Sequence, residues 1–89
     1  MTKERAYEIA EKHNELEPYT ITWIELSNGR HLHIQTVYEP AYYDDDSLVV
    51  CIDTEEENGD AYECHTARQN DIDDIAFWIY EMCWDLEEI

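Results

Sequence analysis

The 89-residue chain has only five Lys and Arg, two Gly, two Pro and three Cys. So few cations exclude the basic stripe with which a protein replaces the counterions of a nucleic acid, and they argue against docking on anionic lipid. The scarcity of Gly and Pro excludes a low-complexity or fibrous chain. Cys51, Cys64 and Cys83 are odd in number and widely spaced. They read as reduced thiols of a cytoplasmic protein, not as a disulfide framework. No apolar stretch approaches the roughly 18 residues of a membrane span. The charged, amphipathic start MTKERAYEIAEKH does not resemble a signal peptide.

What is abundant is acid. Twenty-three Asp and Glu give a formal net charge of −18. With 44% hydrophobic and 12% aromatic residues, this composition describes a folded domain with an acidic surface, not a disordered acidic tail. The length suits a single α+β domain over residues 1–89, burying roughly 60–65% of its unfolded surface. The charge is uneven. Residues 1–30 hold six acids and four bases, net −2; residues 31–89 hold seventeen acids and Arg68 alone, net −16. Like charges at short range destabilise a fold, so the excess serves either solubility or a partner.

Hydrophobic periodicity orders the elements as α-β-β-β-β-α. Thr2 is a suitable N-cap for a helix to about Leu16, with Ala6, Ile9, Ala10, His13 and Leu16 on its inner face. Pro18 disfavours helix at Glu17. Residues 19–26, YTITWIEL, and 31–38, HLHIQTVY, read as strands joined by Ser27-Asn28-Gly29-Arg30, since Asn-Gly accepts the positive φ of a type I′ turn. Leu32, Ile34 and Tyr38 then share one face; His31, His33, Gln35 and Val37 share the other. After Glu39-Pro40 comes a loop over 41–46. A strand over 48–52, apolar on both faces, suits a central position; an acidic turn over 55–60 and a strand over 61–67 follow. Asn70 is the expected cap of a long helix through about Glu88, with Ile72, Ile75, Ala76, Ile79, Met82, Cys83 and Leu86 as its core stripe. The expected fold is a four-stranded antiparallel sheet with both helices on one face.

Three acidic clusters stand out: Asp44-Asp45-Asp46, Glu55-Glu56-Glu57, and Asp74, Glu81, Asp85 and Glu88 on one face of the last helix. The last set spans roughly 20 Å at a rise of about 1.5 Å per residue. Phe77 and Trp84 lie off the core stripe, so they are either wrapped by the loop around Tyr42 and Tyr43 or exposed as a contact surface.

Enzymatic signals are weak. Asp44-Asp45-Asp46 lacks the alternating spacing of a calcium loop. His31 and His33 share a strand face and could hold zinc with Cys64 or His65, but no C-x-x-C pair or H-E-x-x-H helix supports it. Neighbouring Cys64 and His65 point to opposite sides of a strand, a poor nucleophile-base arrangement. Cys51 and Cys83 sit among apolar residues and read as core. There is no Gly-rich phosphate loop. Neither catalytic activity nor a cofactor or metal is expected.

In size, acidity, scarcity of Gly and Pro, and α/β layout with acidic loops, the whole chain resembles small phage-encoded inhibitors of host defence, the anti-CRISPR and anti-restriction proteins that mimic DNA. It carries no diagnostic motif of them. The resemblance implies a binder of the basic groove of a nucleic-acid-binding protein, acting in a host cytoplasm without touching nucleic acid or membrane. It points to Asp44, Asp45, Asp46, Glu55, Glu56, Glu57, Asp74, Glu81, Asp85 and Glu88 as partners for Arg and Lys. Tyr42, Tyr43, Phe77 and Trp84 would be apolar anchors. An immunity or antitoxin-like protein that neutralises a basic nuclease, and a plain homodimeric interaction module, are the alternatives.

Overall fold

The computed structural model describes residues 1–38, 48–56 and 61–89. The expected loop over 41–46, with Tyr42, Tyr43 and the three aspartates, lies outside them, as does Glu57. The element order is α1 (Lys3–Asn14), β1 (Ile21–Glu25), β2 (His31–Tyr38), β3 (Leu48–Glu55), β4 (Ala61–Arg68) and α2 (Ile72–Cys83). The strands form one antiparallel sheet in the order β1-β2-β3-β4. The α+β fold read from the sequence is the fold observed.

Alternation decides the two faces of this sheet. Thr22 and Ile24 of β1, Leu32, Ile34 and Thr36 of β2, Val50, Ile52 and Thr54 of β3, and His65 and Ala67 of β4 fall in register on one face. Both helices cover it. Ala6, Ile9 and Ala10 of α1 and Ile75, Ala76, Ile79, Met82 and Cys83 of α2 complete a single core with these strands. Two histidines of this interior are matched, while the buried Thr54 Oγ1 has no hydrogen-bond partner. The buried His13 imidazole lies 2.7 Å from Thr22 Oγ1 and 2.9 Å from Thr36 Oγ1, joining α1 to β1 and β2. His65 stacks on Trp78 at 3.8 Å, joining β4 to α2.

The local signals act as chemistry requires. The Thr2 side chain accepts a hydrogen bond from Arg5 N and caps α1. Asn28 and Gly29 both take positive φ, 63° and 72°, as the type I′ turn demands. Three readings need correction. Helix α1 ends at Asn14, which leaves Leu16 exposed. Asp71, not Asn70, is the cap of α2, accepting from Asp74 N at 3.2 Å. Asn70 instead has φ 72°; its backbone N donates to Asn14 Oδ1 and its Oδ1 accepts from Asn14 Nδ2, both at 3.1 Å.

The third correction is that α2 stops at Cys83, five residues earlier than the periodicity suggests. Tertiary contacts redirect the chain there. Leu86 is buried, and Glu88 bridges Leu26 beside β1. Ser27 N donates to Glu87 O at 2.8 Å, and Ile89 N donates to Glu25 O at 3.1 Å. The tail thus covers one end of the β1 edge. The amino group of Met1 donates to the carbonyls of Cys83, Trp84 and Leu86, so the end of α2 keeps bonded acceptors without a glycine.

Candidate functional site

Two surfaces carry the chemistry-bearing side chains: the outer side of the helix layer and the sheet face opposite the helices.

On the helix layer, Glu4, Glu8, Glu11 and Glu15 point directly away from the buried side of α1. Their i, i+4, i+7, i+11 spacing is present in the sequence, within a segment, residues 1–30, whose net charge is only −2. Glu81 of α2 is exposed on the same layer, beside a groove lined by Lys3, Tyr7, Asp73, Phe77 and Tyr80. Tyr7 donates to Asp73 at 2.7 Å, and that bond raises its phenol pKa. Asp74 lies half-buried in the first turn of α2, and desolvation raises its pKa.

The expected row of Asp74, Glu81, Asp85 and Glu88 is therefore incomplete, because the helix does not reach the last two. Asp85 is exposed in the turn after α2. Glu88 is held by Arg5, whose Nε and Nη2 each donate at 2.8 Å; this forked contact lowers the pKa of Glu88 and raises that of Arg5. Phe77 and Trp84 are 50% and 61% exposed, and the loop over 41–46, the alternative cover for them, lies outside the described residues. Among the described residues, Glu4, Glu11, Glu15, Glu81 and Asp85 have no cationic partner.

The sheet face opposite the helices has a different character. Register aligns Trp23, His33, Asp53 and Cys64 in one row across all four strands, and Glu25, His31 and Glu55 in the next. Glu55 is consequently a strand residue, not part of an exposed acidic turn. Its Oε2 lies 2.7 Å from His31 Nε2, while Glu56 is exposed beyond the strand. The His31 ring stacks on Trp23 at 3.7 Å. His33 Nδ1 and Asp53 Oδ2 are 3.8 Å apart, too far for a hydrogen bond. His33 Nδ1 and Asp53 Oδ1 are both buried without a hydrogen-bond partner.

One potential ligand atom each from His33, Asp53 and Glu55 lies within 4.8 Å of the other two. Cys64 adjoins this cluster. Although Cys64 is exposed as a residue, partial desolvation of its thiol first, and then a hydrogen bond to Asp53, push it up to about 12. Cys51 is also on this face, half-buried between Gln35 and Thr66, so only Cys83 is a core thiol. His65 belongs to the covered face and is separated from this cluster, while Cys64 shares the face of His31 and His33.

The sequence places His31 and His33 on one face and leaves Cys64 and His65 as alternatives beside them; it does not single out Asp53, and it places Glu55 in an acidic turn and not beside the histidines. The missing information was cross-strand register, which pairs His33 with Asp53 and His31 with Glu55. No helix of the described residues is long and apolar enough to cross a membrane. Comparison with family models, with curated proteins and with solved structures gives no match.

Proposed function

We propose that this protein is an acidic decoy of the DNA-mimic type, which binds the basic nucleic-acid-binding groove of a target protein and blocks access of DNA. The observation that carries this reading is the uncompensated charge. Net −18 on 89 residues exceeds any need for internal pairing, and Arg5 is already engaged by Glu88. The row Glu4-Glu8-Glu11-Glu15 presents a carboxylate every ~4–6 Å of helix axis, against a phosphate every ~3.4 Å per strand of duplex DNA. Glu81 and Asp85 extend the acidic character toward the end of α2. Carboxylates of this kind meet guanidinium groups that otherwise hold phosphates.

Charge mainly sets association rate and specificity, so affinity needs apolar anchors. The exposed Phe77 and Trp84 are suited to that part. The same physics serves an immunity protein against a basic nuclease; the two differ in target, not mechanism.

The test is capture by the immobilised protein from bacterial lysate, followed by elution with NaCl or duplex DNA. Both should release the captured protein. Capture that resists both would overturn the reading. Exposure of Phe77 and Trp84 also favours a second reading, a homodimeric interaction module. Sedimentation decides it: a dimer that dissociates in Trp84→Ala supports it, and a wild-type monomer excludes it.

A further inference from the structure

We propose that His33, Asp53 and Glu55 form a binding site for one divalent first-row transition metal ion of the zinc type on the sheet face opposite the helices. Among the described residues three buried side-chain polar atoms lack a hydrogen-bond partner; Thr54 Oγ1 faces the core, and the other two lie together on this face. Buried polar atoms are nearly always hydrogen-bonded, and an exception calls for a reason, an absent ion among them. His33 Nδ1 and Asp53 Oδ1 are such exceptions, and they belong to side chains directly opposite one another in the β2–β3 register.

The spacing suits a shared ion better than a mutual contact. Ligand bonds of about 2.0–2.1 Å in a tetrahedral zinc site separate ligand atoms by roughly 3.3 Å. Nδ1 of His33 and Oδ2 of Asp53 are 3.8 Å apart, and the set including Glu55 lies within 4.8 Å. Closing by about an ångström is within the reach of rotamer adjustment on three side chains. One imidazole and two carboxylates form a mixed nitrogen–oxygen donor set, which favours zinc, manganese or cobalt over thiolate-seeking copper(I). The two carboxylate charges balance a dication.

The surroundings resemble the outer sphere of a metal centre. His31 Nε2 holds Glu55 Oε2 at 2.7 Å, and stacking on Trp23 fixes the His31 ring. Such a partner orients a ligating carboxylate. A register shift between Thr54 and Glu55 sits at the same place, and irregularities of this kind re-aim side chains beside sites. Three protein ligands leave a fourth position for water, and Cys64 adjoins the cluster. The site lies on the opposite face of the sheet from Glu81 and the α1 carboxylates, so it stands or falls independently of the decoy reading.

The experiment is calorimetric titration of the metal-free protein with zinc in about 5 mM magnesium, which displaces ions held only by diffuse negative charge. One equivalent should bind, and the His33 ring signals in the NMR spectrum should shift with saturation. His33→Ala and Asp53→Asn, checked for folding by circular dichroism, should each weaken binding at least tenfold. His31→Gln should weaken it by about tenfold through Glu55, and Glu15→Gln should leave it unchanged. Non-saturating uptake, loss of binding in magnesium, or unmoved His33 signals would overturn the proposal. The ring signals decide it even if a variant fails to fold.

Discussion

At the scale of single residues, His13 is the most consequential polar group. Its ring is buried between two threonine hydroxyls, and desolvation lowers its pKa below the usual 6.5. Between the lowered folded value and 6.5, the unfolded chain binds more protons than the native one. Stability therefore rises with pH through that window and is level above it. Wild type should lose stability as pH falls below about 6.5, and His13→Gln should lack that component; urea titrations at pH 7.5, 6.5 and 5.5 measure it. His13→Leu should cost about 1–3 kcal/mol, because both threonine hydroxyls lose their buried partner. Equal pH slopes in wild type and His13→Gln would count against this assignment.

Element by element, the sequence was most informative where a pattern is local. Strand β2 has the boundaries read from HLHIQTVY, and the Asn28-Gly29 turn has the positive φ values its residues permit. Gly29→Ala places a Cβ at φ 72° and should cost about 1–2 kcal/mol by urea denaturation; an unchanged midpoint would contradict the turn assignment. Legibility failed where distant contacts decide. Leu86 continues the apolar period of α2, yet the chain leaves the helix at Cys83 and still buries Leu86 against the core. Nothing in local propensity encodes the Arg5–Glu88 contact that accompanies the turn.

The tie between Arg5 and Glu88 is about one-third exposed on each side. A double-mutant cycle with Arg5→Ala and Glu88→Ala should give a coupling of about 0.5–1 kcal/mol that shrinks in high salt. The zinc-type cluster shows the same limit. Two of its three members, Asp53 and Glu55, come beside histidines only through the pairing of β2 with β3. The composition of either strand alone does not specify which residues face each other.

For the whole molecule, repulsion among carboxylates opposes compaction. Added salt screens it. The melting temperature should rise by roughly 5 °C between 10 mM and 0.5 M NaCl, equivalent to about 1 kcal/mol for a domain of this size; scanning calorimetry is the check, and a flat response would mean that repulsion is not limiting. The strand order has a further consequence, in time. In β1-β2-β3-β4 each strand joins its successor, so every ladder can close between segments adjacent in the chain, a topology that favours rapid folding. Contacts between α1 and α2, and between the tail and β1, connect opposite ends of the polypeptide and are expected to form after the rate-limiting step. Ile9→Val in α1 should then accelerate unfolding with little effect on folding, whereas Ile34→Val in β2 should slow folding. Stopped-flow measurements of both limbs would reveal whether the sheet assembles before the helices lock the two ends together.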